Sequence, residues 1–136
     1  MREITLNTEK GSTARVEAFV EEELERIGVP HKILMKMCIV IDEIFSNIVN
    51  YAYGPNIGPA TVKLGFDDAT KTLTLVFIDE GVPFDPRKSK EPDIELAIED
   101  RPIGGLGLFM VKKIMDHMDY RRENGRNILT LTKCIV

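Results

Sequence analysis

Two apolar segments joined by a short polar turn constrain the fold of this chain more than any other feature. Residues 61–66 and 72–79 are rich in residue types that favour β-strands, and residues 67–71 between them suit a hairpin turn. A turn this short joins antiparallel neighbours, whereas parallel strands need a long crossover. We therefore expect these segments to pair as antiparallel strands.

A second hairpin and an N-terminal strand extend the predicted sheet. Residues 120–123 and 128–133 flank Asn124-Gly125, a dipeptide that favours the tight turns of hairpins. Residues 3–7 alternate weakly between apolar and polar side chains, which predicts a further strand. The sheet is thus expected to contain mostly strands joined by hairpins.

Helical segments lie before, between and after these strands. Ser12 or Thr13 is predicted to cap a helix that runs to about residue 27 and ends at Gly28. A long helical stretch is predicted over residues 31–53, and an amphipathic helix over residues 106–118. The order of elements predicts an α+β fold: a two-layer sandwich with helices on one sheet face, and the other face solvated or covered by a partner.

The composition fits one soluble domain over residues 1–136 and narrows the function. The longest apolar stretches fall short of the roughly 20 residues of a membrane helix. The start MREITLNTEK has no signal-peptide core, so a cytoplasmic location is expected. A formal net charge of −4 argues against direct nucleic-acid binding, and basic residues between positions 112 and 126 are predicted to be ordinary surface. Cys38 and Cys134 lie far apart, which argues against zinc.

The first polar motif lies within residues 41–54, in the second predicted helix. Glu43, Asn47 and Asn50 have the spacing i, i+4 and i+7, which places them on one helix face. An Asn amide oxygen suits Mg²⁺, and a Glu one turn away can polarise a hydroxyl or a water. The alternative is that this stripe is the solvated face of an amphipathic helix. The apolar side chains predicted to pack on the sheet lie opposite: Ile41, Phe45, Ile48 and Ala52.

The second motif spans residues 78–86, where an apolar strand ends in a carboxylate and a glycine. A lone Asp79 at this place can accept a hydrogen bond from the amino group of an adenine. Gly81 permits a close backbone approach or an unusual turn. The alternative is that Asp79 forms an Asx turn that ends the strand.

The third motif spans residues 103–111, where a glycine cluster opens the last predicted helix. Free backbone N–H groups at a helix start favour phosphate, and Gly104, Gly105 and Gly107 would let those groups reach its oxygens. The alternative is a flexible joint between loop and helix. No GK[ST] follows, so this is not a Walker loop.

A long irregular segment rich in Pro, Gly and charge precedes the glycine cluster. It covers residues 80–104, with a helical turn predicted near residues 94–98. Loops of this length inside compact domains tend to be functional or disordered.

Together, the three motifs resemble the N, G1 and G2 boxes of the GHKL ATPases, the superfamily of gyrase, chaperone, histidine-kinase and mismatch-repair ATPases. Within that superfamily the chain resembles the small bacterial anti-sigma serine kinases of the SpoIIAB and RsbW type. The segments EIFSNIVNYAYGP, DEGVPFDP and GGLGLFMVKKIMD carry the resemblance. It implies a histidine-kinase-like ATPase fold with a mixed, mostly antiparallel sheet, and ATP and Mg²⁺ as cofactors.

The resemblance also implies roles for individual residues. Glu43 matches the catalytic carboxylate, Asn47 the Mg²⁺ ligand and Asp79 the residue that binds adenine. Residues 84–104 match the nucleotide lid, in which Arg101 would bring positive charge to the phosphates. The remaining residues expected at the nucleotide are Asn50, Gly81, Gly104, Gly105, Leu106, Gly107 and Leu108.

Three functions follow from the resemblance. The first is an anti-sigma factor that phosphorylates a serine of a STAS-type anti-anti-sigma partner, binds a sigma factor and forms a homodimer. Residues 1–7, at the edge of the predicted sheet, are a candidate dimer contact. The second is a nucleotide-dependent regulatory module with little kinase activity, and the third an orphan ATPase. Glu43 favours the first, because a pure binding module has less need of a catalytic base.

Overall fold

A computed structural model describes residues 1–88 and 105–135 of the chain. The elements along these residues are β1 (Arg2–Asn7), α1 (Ser12–Ile27), α2 (His31–Asn47), a π-helical turn (Ile48–Ala52), β2 (Pro59–Asp67), β3 (Thr72–Asp79), a 3₁₀ turn (Pro86–Lys88), α3 (Gly105–Ile114), β4 (His117–Glu123) and β5 (Arg126–Cys134).

The strands form a five-stranded sheet with the order β1-β2-β3-β5-β4. The sheet expected to be mixed has only antiparallel pairs within residues 1–88 and 105–135. Alternate residues of β3 are buried, so one face of the sheet meets the helices and the other faces outward. The predicted α+β sandwich with helices on one sheet face is confirmed.

The core lies between that sheet face and the three helices. It joins side chains from the helices and the sheet. The four residues of the first motif predicted to pack on the sheet, Ile41, Phe45, Ile48 and Ala52, are all buried, and so is Ile44 from the same motif. Within the described residues, no helix is both long and apolar enough to cross a membrane.

Both predicted hairpins are confirmed, and three of their four strands are longer than expected. The bounds of β3 match the prediction, while β2 and β5 each extend further at both ends. Asn124 and Gly125 have φ values of 53° and 77°, the paired positive values of a type I′ turn. The Asp67 carboxylate accepts hydrogen bonds from two backbone N–H groups of its own turn, as short Asx turns do.

The start of α1 differs from the prediction. Gly11, with φ 87°, is the N-cap residue, and no side chain caps the helix. The prediction that Ser12 or Thr13 caps α1 is wrong, because the left-handed backbone at Gly11 makes Ser12 the first helical residue. The Ser12 hydroxyl is buried and has no hydrogen-bond partner among the described residues.

The end of α3 also differs from the prediction. The helix stops at Ile114, and β4 already begins at His117, within the segment predicted as helix. Lys133 donates to the carbonyl of Ile114 at 2.9 Å, and the Asp116 N–H donates to the carbonyl of Thr132 at 2.9 Å. These bonds draw the chain onto β5, so tertiary pairing overrides the local helical pattern. The helical turn predicted near residues 94–98 lies outside the described residues.

The long helix predicted over residues 31–53 changes type before its end. The α-helix stops at Asn47, and residues Ile48–Ala52 form a π-helical turn. A π-turn has i→i+5 hydrogen bonds and is frequent at functional sites. This wider turn lies inside the first polar motif and sets the direction of its C-terminal half.

Candidate functional site

The first and third motifs meet at Glu43 and Gly107. Gly107 lies in the first turn of α3, and Glu43 projects toward it from α2. A Cβ atom added to Gly107 would overlap the Cδ atom and both carboxylate oxygens of Glu43. With the carboxylate in this position only a glycine fits at residue 107, so Gly107 and Glu43 form one site.

The surroundings of Glu43 raise the pKa of its carboxyl group. Burial raises the pKa of the Glu43 carboxyl, and the negative charge of Asp42 raises it further. Hydrogen bonding from the Asn47 amide lowers the pKa and so opposes the shift. A half-buried carboxylate with a raised pKa is a candidate for proton transfer.

The π-helical turn separates Asn50 from the other polar residues of its motif. Glu43 and Asn47 are both half-buried on the α-helix, one turn apart. Asn50 lies in the π-turn and is exposed. The i, i+7 spacing places Asn50 on the face of Glu43 only in a continuous α-helix, and the π-turn interrupts that helix before Asn50.

The first and second motifs meet at Ala52 and Gly81. A Cβ atom at Gly81 would lie 2.6 Å from the carbonyl carbon and 2.6 Å from the Cβ of Ala52. The Val82 N–H donates to the Ala52 carbonyl at 2.9 Å. Gly81 has no positive φ, so its function here is a close backbone approach and not an unusual turn.

Asp79 is buried at the end of β3, where one of its oxygens takes two hydrogen bonds. Its Oδ1 accepts from the Gly81 N–H at 2.9 Å and from the Asn127 amide at 2.9 Å. The first bond is the Asx turn considered as the alternative. The Oδ2 atom accepts no hydrogen bond from the described residues, so the turn leaves one carboxylate oxygen for a ligand.

The β4–β5 hairpin supplies residues that the sequence interpretation missed. Asn127 is buried beside Asp79 and bonds to the loop that follows β3. Arg122 donates to the Gly81 carbonyl at 2.7 Å, so it is more than the ordinary surface residue that was predicted. The signal available for Asn127 was a polar residue at the second position of a strand that continues with apolar residues.

The first residues of the predicted lid make hydrogen bonds to one another and to α3. The Asp85 carboxylate accepts hydrogen bonds from the guanidinium and backbone of Arg87, and these lower its pKa. Lys112 on α3 donates to the Arg87 carbonyl at 3.4 Å. The start of the predicted lid is therefore linked to α3 through Arg87.

The other residues of the third motif differ in what they could offer a ligand. Gly105 is the first residue of α3, and the Leu108 side chain is buried in the core, so only its backbone is a candidate ligand contact. The Leu106 side chain, Gly104 and Arg101 lie outside the described part of the chain.

Gly81→Ala should destabilise the protein, because the added methyl group would overlap backbone atoms of Ala52 that cannot move aside. Overpacking of this kind costs about 1–3 kcal/mol in the free energy of unfolding. Gly65→Ala is the matched control, since its Cβ would meet only the exposed side chain of Met1 at 3.0 Å. Urea titration of both variants measures the difference, and equal stabilities would contradict the close approach.

Comparison with known proteins identifies relatives of this chain. The profile of the histidine kinase-like ATPase domain family matches residues 6–133. The serine-protein kinase RsbW of Bacillus cereus (strain ATCC 10987) is 33% identical over 115 residues, which cover 81% of this chain and 69% of RsbW. The serine/threonine-protein kinase BtrW of Bordetella bronchiseptica is 31% identical over 96 residues, which cover 71% of this chain and 67% of BtrW.

A solved structure supports the fold. The RsbU and RsbW domains of Rv1364c from Mycobacterium tuberculosis align with a TM-score of 0.64 at 17% identity. The alignment covers 98% of this chain and 32% of that one, so the chain spans about a third of its length.

Proposed function

The chain belongs to the family of histidine kinase-like ATPase domains, and on that premise we propose that it is an ATP-dependent protein-serine kinase. It would transfer the γ-phosphoryl group of ATP to a serine of a STAS-type anti-anti-sigma partner. The observation that carries the proposal is the contact of the Glu43 carboxylate with Gly107. This contact puts a candidate base at the helix start that would hold the phosphates.

The nucleotide would lie across the three motifs. Asp79 Oδ2 would accept a hydrogen bond from the adenine amino group, while Gly81 keeps the neighbouring backbone close to Ala52. The N–H groups at the start of α3, around Gly105 and Gly107, would face the phosphates of such a ligand. Arg101 and Gly104 would complete this phosphate site.

The residues of the first motif fit Mg²⁺. Mg²⁺ prefers oxygen ligands and keeps several waters. Because the Asn47 amide donates toward Glu43, its oxygen remains available to the metal. Bound there, Mg²⁺ would neutralise charge on the transferring phosphoryl group.

Glu43 would act as the general base. Its carboxylate takes the proton of the serine hydroxyl as the serine oxygen bonds to the γ-phosphorus. The bond to the bridging oxygen breaks at the same time, and ADP leaves. A raised pKa brings the carboxyl closer to neutral pH, where a general base works best.

The proposed partners are those that the resemblance to the anti-sigma serine kinases implies, and the relatives RsbW and BtrW are themselves named as serine or serine/threonine kinases. We propose that a sigma factor and a STAS-type protein are bound alternately, according to the nucleotide. A lid ordered by the γ-phosphate would change the surface offered to each, as order–disorder switches do. The edge strand β1 is the proposed contact of a homodimer.

Asp79→Asn should weaken ADP binding by about ten- to a hundredfold. A hydrogen bond to a charged group contributes about 1.5–3 kcal/mol, and roughly 1.4 kcal/mol corresponds to tenfold in affinity. Calorimetric titration with ADP measures the change, with Asp67→Asn, in the distant β2–β3 turn, as the control. Unchanged ADP affinity in a folded Asp79→Asn protein would remove Asp79 from the site.

A further inference from the structure

We infer that Asn127 is a positioning residue that makes the site select adenine, because its amide fixes which oxygen of Asp79 faces the base. This inference rests on the proposed adenine contact of Asp79. Asn127 lies opposite Asp79 in the pairing of β3 with β5, and both side chains are buried.

The Asn127 side chain uses its full hydrogen-bonding capacity. Its Nδ2 group donates to Asp79 Oδ1 at 2.9 Å and to the Val82 carbonyl at 2.8 Å. Its Oδ1 atom accepts from the Phe84 N–H at 3.3 Å and from the Tyr120 hydroxyl. A side chain that is satisfied at every position is held in one orientation.

The backbone decides that orientation. The Val82 carbonyl can only accept a hydrogen bond, and the Phe84 N–H can only donate one. A flipped amide would place two acceptors together at Val82 and two donors together at Phe84. Asn127 therefore always presents an N–H group to Asp79, and never its oxygen.

This donor determines which oxygen of the Asp79 carboxylate is free for a ligand. With Gly81 and Asn127 both donating to Oδ1, the second oxygen is the one left for a ligand donor. The adenine amino group is such a donor. Hypoxanthine carries an oxo group there, which is an acceptor and would face a carboxylate oxygen without a proton between them.

The test compares ADP with inosine diphosphate, which differ at that position of the base. Four proteins are titrated by calorimetry: wild type, Asp79→Asn, Asn127→Ala and the double variant. Thr130→Ala, on the opposite face of β5, is the control for a substitution in this strand. Circular dichroism and thermal melting establish that each protein is folded.

We expect Asn127→Ala to lower ADP affinity by about tenfold, the lower end of the range for a bond to a charged group. Affinity for inosine diphosphate should change by less than about twofold, because this ligand does not use the contact. The double variant should bind ADP about as weakly as Asp79→Asn alone, since coupled residues are not additive. A purely structural role would lower both affinities together.

Equal losses for both ligands, or additive losses in the double variant, would overturn the role of Asn127. If Asp79→Asn left ADP affinity unchanged, the proposed adenine contact of Asp79 would be wrong, and the role of Asn127 would fall with it. If Asn127→Ala did not fold, Tyr120→Phe would decide, because it removes only the hydroxyl that donates to the Asn127 oxygen. It should lower ADP affinity by about two- to tenfold, and an unchanged ratio of the two affinities would overturn the inference.

Discussion

Glu43→Gln should bind ATP and ADP as the wild type does and phosphorylate its protein partner about 10²–10⁴ times more slowly. Glutamine has nearly the same shape, so it fits against Gly107, but it cannot take a proton from a serine. Loss of a general base typically costs a factor of this size. The measurement is a single-turnover assay of phosphoserine formation with ATP and Mg²⁺.

Glu25→Gln is a matched control, because it removes an exposed carboxylate from α1. Its transfer rate should equal that of the wild type. A normal rate in Glu43→Gln, with tight nucleotide binding retained, would show that Glu43 is not the base.

Gly107→Val should abolish ATP binding and leave the thermal midpoint of the ligand-free protein within a few degrees. The valine side chain would occupy the place of the Glu43 carboxylate and block the approach of phosphates to the start of α3. The carboxylate is the far end of a flexible side chain, so it can swing away in the free protein without breaking the core. Calorimetry and thermal melting measure the two effects.

Met110→Val puts the same β-branched residue at an exposed position of α3 and should keep ATP binding. A large loss of stability in ligand-free Gly107→Val would mean that this glycine serves packing. Normal ATP affinity would separate Gly107 from the phosphate site.

The features predicted best from the sequence are those encoded by neighbouring residues. Asn124-Gly125 specifies its turn locally, and the strand ending at Asp79 is bounded by turn residues on both sides. The end of α3 was misplaced because pairing with β5, which lies further along the chain, determines it. The π-turn was missed because a helical pattern of apolar residues does not distinguish α from π hydrogen bonding.

The candidate site was predicted only in part, because some of its features depend on neighbouring residues and others on tertiary packing. Glu43, Asp79 and Gly107 stand in motifs whose residue types suggest their chemistry. The motifs alone gave no sign that Glu43 touches Gly107 or that Gly81 touches Ala52, because both contacts depend on how the helices and sheet pack. Asn127 lies 48 residues from Asp79 and has no motif around it, so only the register of β3 and β5 reveals the pair.

The most direct test of the proposed kinase activity is phosphoryl transfer to a purified STAS-type protein from the same cell. The kinase, the partner, ATP and Mg²⁺ are mixed, and the phosphorylated residues of the partner are identified by mass spectrometry. We expect one phosphorylated serine that appears with the wild type and is nearly absent with Glu43→Gln. Tight ATP binding and partner binding without any phosphoserine would contradict the kinase activity, and would instead indicate a nucleotide-dependent regulatory module.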